Sequence, residues 1–303
     1  MSPKSSVISI FETLRTYRGH LRAFDLHWKR FCHSWLLFNQ EVLPSMVTIP
    51  LVNFCNSQDA VQDRLSAFKN ELIDQLQNWS IKLYPDLKTS SSFSDRPNEQ
   101  EWIVRFSLDQ NLKFKVTRSP LDLGYVNQSR TVKSIYLQST YSAAIKCSDR
   151  GQWNEAVDAL NCDEILLCDE QYRPLETNNS NIWSLHFSST NSDLVMERFL
   201  NKQLLPLQGT IWTTPPHTLD DKHLCLAGIT RLLLTQSLKE LGATVKIQFI
   251  SSVRSKIDIP SAFFVSSTLK SLSWVSAVDD QEYVSLSFVP HLQNRLEEML
   301  SIC

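Results

Sequence analysis

The sequence has no apolar run approaching the roughly 20 residues that a membrane-spanning helix needs, so no membrane partner is expected. Met1–Ser9 lacks the charged-then-apolar order of a secretory signal, and a soluble, cytoplasmic protein is the expectation. Also missing is any cluster of Lys and Arg interleaved with aromatics, and the formal net charge is only −2. Binders of nucleic-acid backbones normally carry a basic excess, so no nucleic-acid partner is expected, while a local anion pocket stays compatible with this charge. None of the seven cysteines falls in a C-x-x-C pair, and their number is odd. That pattern fits reduced thiols rather than disulfides or zinc, and no metal is expected. Cys162 and Cys168 flank an apolar run and read as core residues. No internal repeat is evident.

What is present suffices for two compact domains: 303 residues, of which 42% are hydrophobic. Ile8–Tyr17 has strand-like content, with a turn at Arg18-Gly19-His20. Asp25 is placed to cap a helix whose Trp28, Phe31, Trp35 and Phe38 recur at helical spacing. A second helix is expected over Ala60–Trp79, with Val61, Leu65, Phe68, Leu72 and Leu76 as its stripe. The serine-rich stretch at 89–97 reads as a surface loop. Trp102–Ser107 and Leu112–Thr117 alternate as paired strands.

Residues 1–120 then form a small N-terminal domain, 121–129 an extended connection, and 130–303 a larger domain. In the larger domain Lys133 begins a segment expected to turn helical through Ala144. Strands follow at Glu164–Cys168, Tyr172–Glu176, Ile182–Phe187, Thr210–Thr214, Val245–Ile250, Ala262–Ser266 and Val284–Phe288, with an apolar run at Leu200–Leu207. Thr230–Leu241 is the clearest helix, stopped by Gly242, and a last helix covers Leu292–Leu300. Strands and helices intermingle without regular alternation, so the fold class is α+β with mixed sheets.

Four pieces carry candidate chemistry, and each has an ordinary reading. Lys133 could be a surface lysine, Glu176 a solvated hairpin residue, and Arg30 a surface charge on an amphipathic helix. Gly228-Ile229-Thr230-Arg231 could be a glycine turn and helix start. Together they meet the demands of an aldehyde cofactor with a phosphate and a pyridine ring. Such a group needs a lysine for the imine, an anion cradle, and an acid to hold a proton on the ring nitrogen.

Their order resembles the class IV pyridoxal-phosphate proteins, which include branched-chain and D-amino-acid aminotransferases and 4-amino-4-deoxychorismate lyase. Phe11-Glu12-Thr13-Leu14-Arg15 with His27-Trp28-Lys29-Arg30-Phe31 is similar to that family's first strand and its H-x-x-R-L helix. Val132-Lys133-Ser134-Ile135-Tyr136-Leu137 resembles its K-S-L-N-L segment, with Tyr136 in place of the usual asparagine. Glu164–Asp169 leading to Glu176-Thr177-Asn178-Asn179-Ser180-Asn181-Ile182-Trp183 resembles the signature E-G-x-x-x-N-[IVL]-F, and Thr177 stands where glycine is common. Thr213-Thr214-Pro215-Pro216 with Gly228-Ile229-Thr230-Arg231 matches T-P-P…G-I-T-R, and Phe264-Val265-Ser266-Ser267-Thr268 resembles the loop that completes the cradle.

The resemblance implies a two-domain fold type IV architecture of the D-amino-acid aminotransferase kind, with a small α/β domain and a larger pseudo-barrel. It implies pyridoxal 5′-phosphate as cofactor, a Schiff base on Lys133, and Glu176 paired with the pyridine N–H. Phosphate contacts would come from Arg30, Ile229, Thr230, Ser267 and Thr268. A small-molecule amino substrate and a homodimer are also implied.

Trp102–Asp109 carries neither the Tyr-x-Arg of branched-chain enzymes nor the Arg-Gly of the D-amino-acid type, leaving Arg105 as the arginine there. The F-E-T-L-R and E-T-N-N-S-N wording resembles the lyase branch, which cleaves 4-amino-4-deoxychorismate to 4-aminobenzoate and pyruvate in folate synthesis. A branched-chain or D-amino-acid-type aminotransferase is the alternative, and a non-catalytic relative of the fold a third.

Overall fold

Period-2 alternation and aromatic spacing build the first half of the chain. In the computed structural model, β1 (Ser9–Tyr17) is buried on both faces, as befits the middle strand of a five-stranded sheet ordered β3-β2-β1-β4-β5. Its neighbours are β2 (His20–Leu21), β3 (Lys82–Leu83), β4 (Trp102–Asp109) and β5 (Phe114–Pro120). The structure describes residues 8–17, 19–41, 58–83, 100–122, 124, 128–136, 143, 145–148, 151–188, 207–220, 222–255, 257–283, 289–290 and 292–294. The expectations for 89–97 and 284–288, and most of those for 200–207 and 292–300, lie outside these residues.

Helix α1 (Phe24–Glu41) starts one residue before Asp25, which therefore sits in the first turn, where its charge suits the helix dipole. The expected stripe is buried, with Trp28, Phe31, Trp35 and Phe38 each under 9% exposed. Phe31 meets Phe106 of β4 edge-on at 4.9 Å between centroids. Burying a ring of this size contributes about 2 kcal/mol. Helix α2 (Gln58–Asn78) buries Leu65, Leu72 and Leu76, and Phe68 stacks on Phe114 at 5.1 Å.

The second half forms a sheet ordered β13-β10-β9-β14-β15-β6-β7-β8, in which β8 also pairs with β9. Six of its strands thus close on themselves: β6 (Arg130–Tyr136), β7 (Glu164–Cys168), β8 (Pro174–Thr177), β9 (Asn181–Phe187), β14 (Ala262–Ser266) and β15 (Ser273–Val278). β10 (Thr210–Thr214) and β13 (Thr244–Ile247) extend the β9 edge, and β16 (Gln281–Glu282) pairs with β15. β11 (Thr218–Leu219) and β12 (Lys222–His223) make a separate hairpin. Val132, Leu166, Cys168, Ile182, Phe263, Val265, Val275 and Val278 form one core cluster of this sheet.

Between β6 and β7 lies helix α3 (Gly151–Leu160), and between β10 and β13 helix α4 (Ile229–Glu240). Both strand pairs are parallel, as crossover connections require. Leu234 and Leu238 of α4 pack with Trp183, Trp212 and Phe264. The helix ends as its sequence predicts: Gly242 takes φ 86°, and the N–H groups of Gly242 and Ala243 donate to the carbonyls of Lys239 and Leu238.

One expectation is corrected. Arg130–Tyr136 is a strand, pairing with both β7 and β15, so the helix expected from Lys133 does not begin there. Val132 and Ile135 supply the β-branched side chains that suit a pleated surface, and Val132 is buried in the sheet's core.

Contacts divide the chain into two compact units: Met1–Leu121 with Ala144–Asp149, and Asp122–Ala143 with Arg150–Cys303. The strip 144–149 returns to the first unit, a detour that no shift in composition announces. No helix among the described residues is long and apolar enough to cross a membrane.

Candidate active site

In the first unit, four ionisable groups meet on β1. Glu12 is fully buried. Its carboxylate accepts the Arg30 Nε–H on Oε1 and an Nη2–H on Oε2, both at 2.7 Å. His27 Nδ1 reaches Oε2 at 2.8 Å, and the Lys146 ammonium lies 3.6 Å from the same oxygen. His27 and Arg30 come three apart on α1, which puts both on the face toward β1.

Lys146 is delivered differently. The segment 145–148 runs antiparallel to β1 through a bridge between Ile10 and Cys147. The Phe11 N–H donates to the Lys146 carbonyl at 3.0 Å, and the Ser148 N–H to the Ser9 carbonyl at 2.7 Å. The Lys146 ammonium also lies 5.3 Å from the centre of the Phe11 ring, which the Arg105 guanidinium approaches at 4.0 Å.

Burial alone would raise the Glu12 pKa, yet the charges of Arg30 and Lys146, with hydrogen bonds from His27 and Arg30, hold it well below the ordinary carboxylate range. His27 is pushed down to about 4, first by burial and then by Arg30 and Lys146 against the pull of Glu12. It is therefore neutral near pH 7, donating its Nδ1–H to Glu12. Arg30 and Lys146 thus bring two cations to one buried carboxylate.

Acid stability follows from His27. Between its folded value of about 4 and its ordinary 6.5, only the unfolded chain binds the proton. Stability from this group is full above the upper value and is lost as pH falls through the window, by on the order of 3 kcal/mol. Denaturant melts from pH 7 to 4 should show that loss in the natural protein and a flatter profile in His27→Gln. Equal slopes in the two proteins would remove His27 as the cause.

In the second unit, another constellation gathers where β8, β9 and β14 meet. Glu176 is opposite Asn181, and Asn181 opposite Ser266, so the three stand on neighbouring strands about 5 Å apart. The Leu226 N–H donates to Glu176 Oε2 at 3.1 Å, and Asn181 Nδ2 donates to the Leu226 carbonyl at 3.2 Å. A Cβ at Gly228 would fall 1.7 Å from Asn181 Oδ1, so only glycine lets the start of α4 approach β9 this closely. No side chain caps α4, which begins with Ile229 and Thr230. A 12-residue helix with its first amides unclaimed by a side-chain cap is suited to an anion.

Arg231 turns inward, donating to the Pro215 carbonyl at 2.8 Å and to Cys225 Sγ at 3.5 Å. Burial, reinforced by the Glu176 charge, pushes the Cys225 thiol up to about 12 and keeps it protonated. Ser267 and Thr268 form the turn after β14, where the Ser271 N–H donates to the Ser267 carbonyl at 2.8 Å. Of the residues named from sequence, Glu176 lies near the end of β8, Ser267 and Thr268 follow the end of β14, and Ile229 and Thr230 open α4.

Lys133 is placed otherwise. Its ammonium donates to the Asp279 carbonyl at 2.7 Å and to Asp280 Oδ1 at 3.0 Å. Both partners belong to the turn between β15 and β16, on the side of β6 away from β7, whereas Glu176 stands on β8 beyond β7. Sequence reading passed over Lys146 and Glu12. The available signal was Lys146's place in the crossover between parallel strands, 30 residues before Glu176.

A two-unit α+β fold with a closed mixed sheet, an anion-ready helix start and a buried cationic cluster defines the fold type IV class of cofactor enzymes. The chain belongs to the class IV amino-transferase family, whose model matches residues 9–278. That family depends on pyridoxal 5′-phosphate. Among solved structures, the fold IV transaminase CpuTA1 from Curtobacterium pusillum is similar at 16% identity and TM-score 0.64, covering 97% of this chain and 86% of its own. A hypothetical aminotransferase from Mycobacterium tuberculosis, in a form bound to the cofactor, gives 12% identity and TM-score 0.64, with 96% and 88% covered. A candidate 4-amino-4-deoxychorismate lyase from Legionella pneumophila subsp. pneumophila str. Philadelphia 1 gives 14% identity and TM-score 0.58, with 97% and 91% covered. Comparison with curated proteins gave no match. Among the described residues no cluster suited to a metal ion occurs.

Proposed function

We propose that the protein is a 4-amino-4-deoxychorismate lyase whose cofactor is carried by Lys146, in place of the Lys133 suggested by sequence. The observation behind the second part is the Lys146 ammonium beside Arg30 and Glu12, against the engagement of Lys133 by Asp279 and Asp280. When bound, pyridoxal phosphate supplies an aldehyde that captures amines and a ring that accepts electrons released at the amine-bearing carbon.

Arg30 is assigned to the phosphate, as are the backbone amides of Ile229 and Thr230 and the groups of Ser267 and Thr268. Glu176 holds the proton on the pyridine nitrogen. Lys146 would carry the cofactor and, as a free amine, would be the base that removes the proton from the substrate ring carbon bearing nitrogen. The bond from the substrate ring to the enolpyruvyl oxygen would then break, the ring would become aromatic, and the released enolate would take up a proton at carbon as pyruvate.

The lyase reading is supported by the E-T-N-N-S-N wording and by the lack of Tyr-x-Arg or Arg-Gly in β4. An aminotransferase is the second reading. The arrangement of Arg105 and Lys146 over one ring, that of Phe11, favours it by offering a cation for a substrate carboxylate near the amine. Offering the purified protein 4-amino-4-deoxychorismate and assaying 4-aminobenzoate and pyruvate tests the first. Amino acids with 2-oxoglutarate, assaying glutamate, test the second. Glutamate without 4-aminobenzoate would overturn the lyase.

Replacing Arg30 with Ala is expected to weaken cofactor binding by about 10–100-fold while leaving turnover at saturating cofactor much less affected, because a phosphate contact mainly positions. Cofactor content after gel filtration checks this. Content equal to that of the natural protein would refute the assignment.

A further inference from the structure

Lys270 and Glu164 form a buried ion pair that none of the steps above uses. Their side chains are only 3% and 1% exposed. Lys270 Nζ donates to Glu164 Oε1. The same carboxylate accepts the Thr177 hydroxyl on Oε2 and the Ser180 hydroxyl on Oε1 at 3.4 Å. Thr177 and Ser180 also clasp each other: the Thr177 N–H donates to the Ser180 carbonyl at 2.7 Å, and the Ser180 N–H to Thr177 Oγ1 at 2.9 Å. Glu164 therefore grips the β8–β9 corner at Thr177, which directly follows Glu176, and at Ser180, which directly precedes Asn181.

At the other end of the pair, the Lys270 N–H donates to Ser267 Oγ at 3.3 Å, inside the turn that carries Ser267 and Thr268. Burial and the charge of Arg130 push the Lys270 ammonium down to about 7, against the pull of Asp163. An ammonium so enclosed needs a carboxylate partner, and apolar side chains could fill the same space without the cost of stripping two charges of water. What the pair adds over an apolar filling is a fixed, directional link between two turns.

We infer that Glu164 and Lys270 are a positioning pair that bolts the Glu176 turn to the Ser267–Thr268 turn, fixing the acid for the ring nitrogen relative to the phosphate cradle. The inference rests on the cofactor reading above. It predicts that the pair acts on the cofactor through Glu176, without touching it.

The test loads the natural protein and its variants with pyridoxal phosphate labelled with 15N in the ring and reads the 15N resonance, which separates a protonated from a neutral ring nitrogen. Glu176→Gln provides the neutral reference. Lys270→Met is expected to shift the signal toward that reference while circular dichroism stays native, and to add no further shift in a Glu176→Gln background. Should Lys270→Met fail to fold, Glu164→Leu/Lys270→Met, which leaves no unpaired charge, is read instead with the same expectation.

A protonated-ring signal in the natural protein that persists unchanged in the folded variant overturns the bolt alone. Failure of the natural protein to take up the cofactor overturns the cofactor reading and the bolt together. A neutral ring in the loaded natural protein overturns the role of Glu176 and, with it, the bolt.

Discussion

Lys146→Ala is expected to lose the near-visible absorption of bound cofactor and to lower turnover by about 10³-fold or more, whereas Lys133→Ala keeps both. The contrast follows from what surrounds each amine. Lys146 shares Glu12 with Arg30, so removing it takes away both the attachment point and one of two cations facing that carboxylate. Lys133 loses only a contact with the fully exposed Asp280 and one with the Asp279 carbonyl, and water readily replaces the first. Borohydride reduction of the loaded protein, followed by peptide mass mapping, reads the same question directly. The adduct belongs on the peptide containing Lys146. An adduct on the peptide containing Lys133 would return the anchor to β6 and sink the assignment.

Glu176→Gln should retain the cofactor yet slow removal of the substrate proton by about 10²–10⁴-fold, the range seen when a positioned acid or base is lost. Glu176 is fixed from two sides, by strand pairing to Leu167 and Asn181 and by the Leu226 N–H on its carboxylate. A glutamine of the same shape can keep the pairing and accept that N–H, but it cannot keep a ring nitrogen protonated through charge. Stopped-flow kinetics with a saturating amine substrate separates the two effects. Turnover equal to that of the natural protein would remove Glu176 from the chemistry.

Much of the fold was legible because local patterns and tertiary packing agree. Trp28, Phe31, Trp35 and Phe38 mark one helix face and are buried together, and Gly242 stops α4 where sequence says it should. The local setting of the residues proposed in the second unit was legible for a related reason: Glu176, Ile229, Thr230, Ser267 and Thr268 sit in short motifs at strand ends and a helix start. Lys146 was not legible. Its position depends on backbone contacts with Ser9–Phe11, more than 130 residues earlier in the chain, and nothing in the local wording reports such pairing. Lys133 drew attention instead because Val132–Leu137 looks like a motif, although pairing with β7 and β15 makes most of that motif an ordinary strand. The Lys270–Glu164 pair spans 106 positions and was equally silent.

The strip 144–149 means that the chain passes between its two units three times, after Leu121, Ala143 and Asp149. A fragment cut at the first crossing would carry β1 without the carbonyl that receives the Phe11 amide, and Glu12 without its lysine. The first unit can therefore not be expressed, swapped or inherited as a contiguous module with its buried Glu12 cluster intact. A chimera between relatives would have to exchange two separate stretches at once, so recombination is expected to preserve the pairing of units where it freely varies the loops.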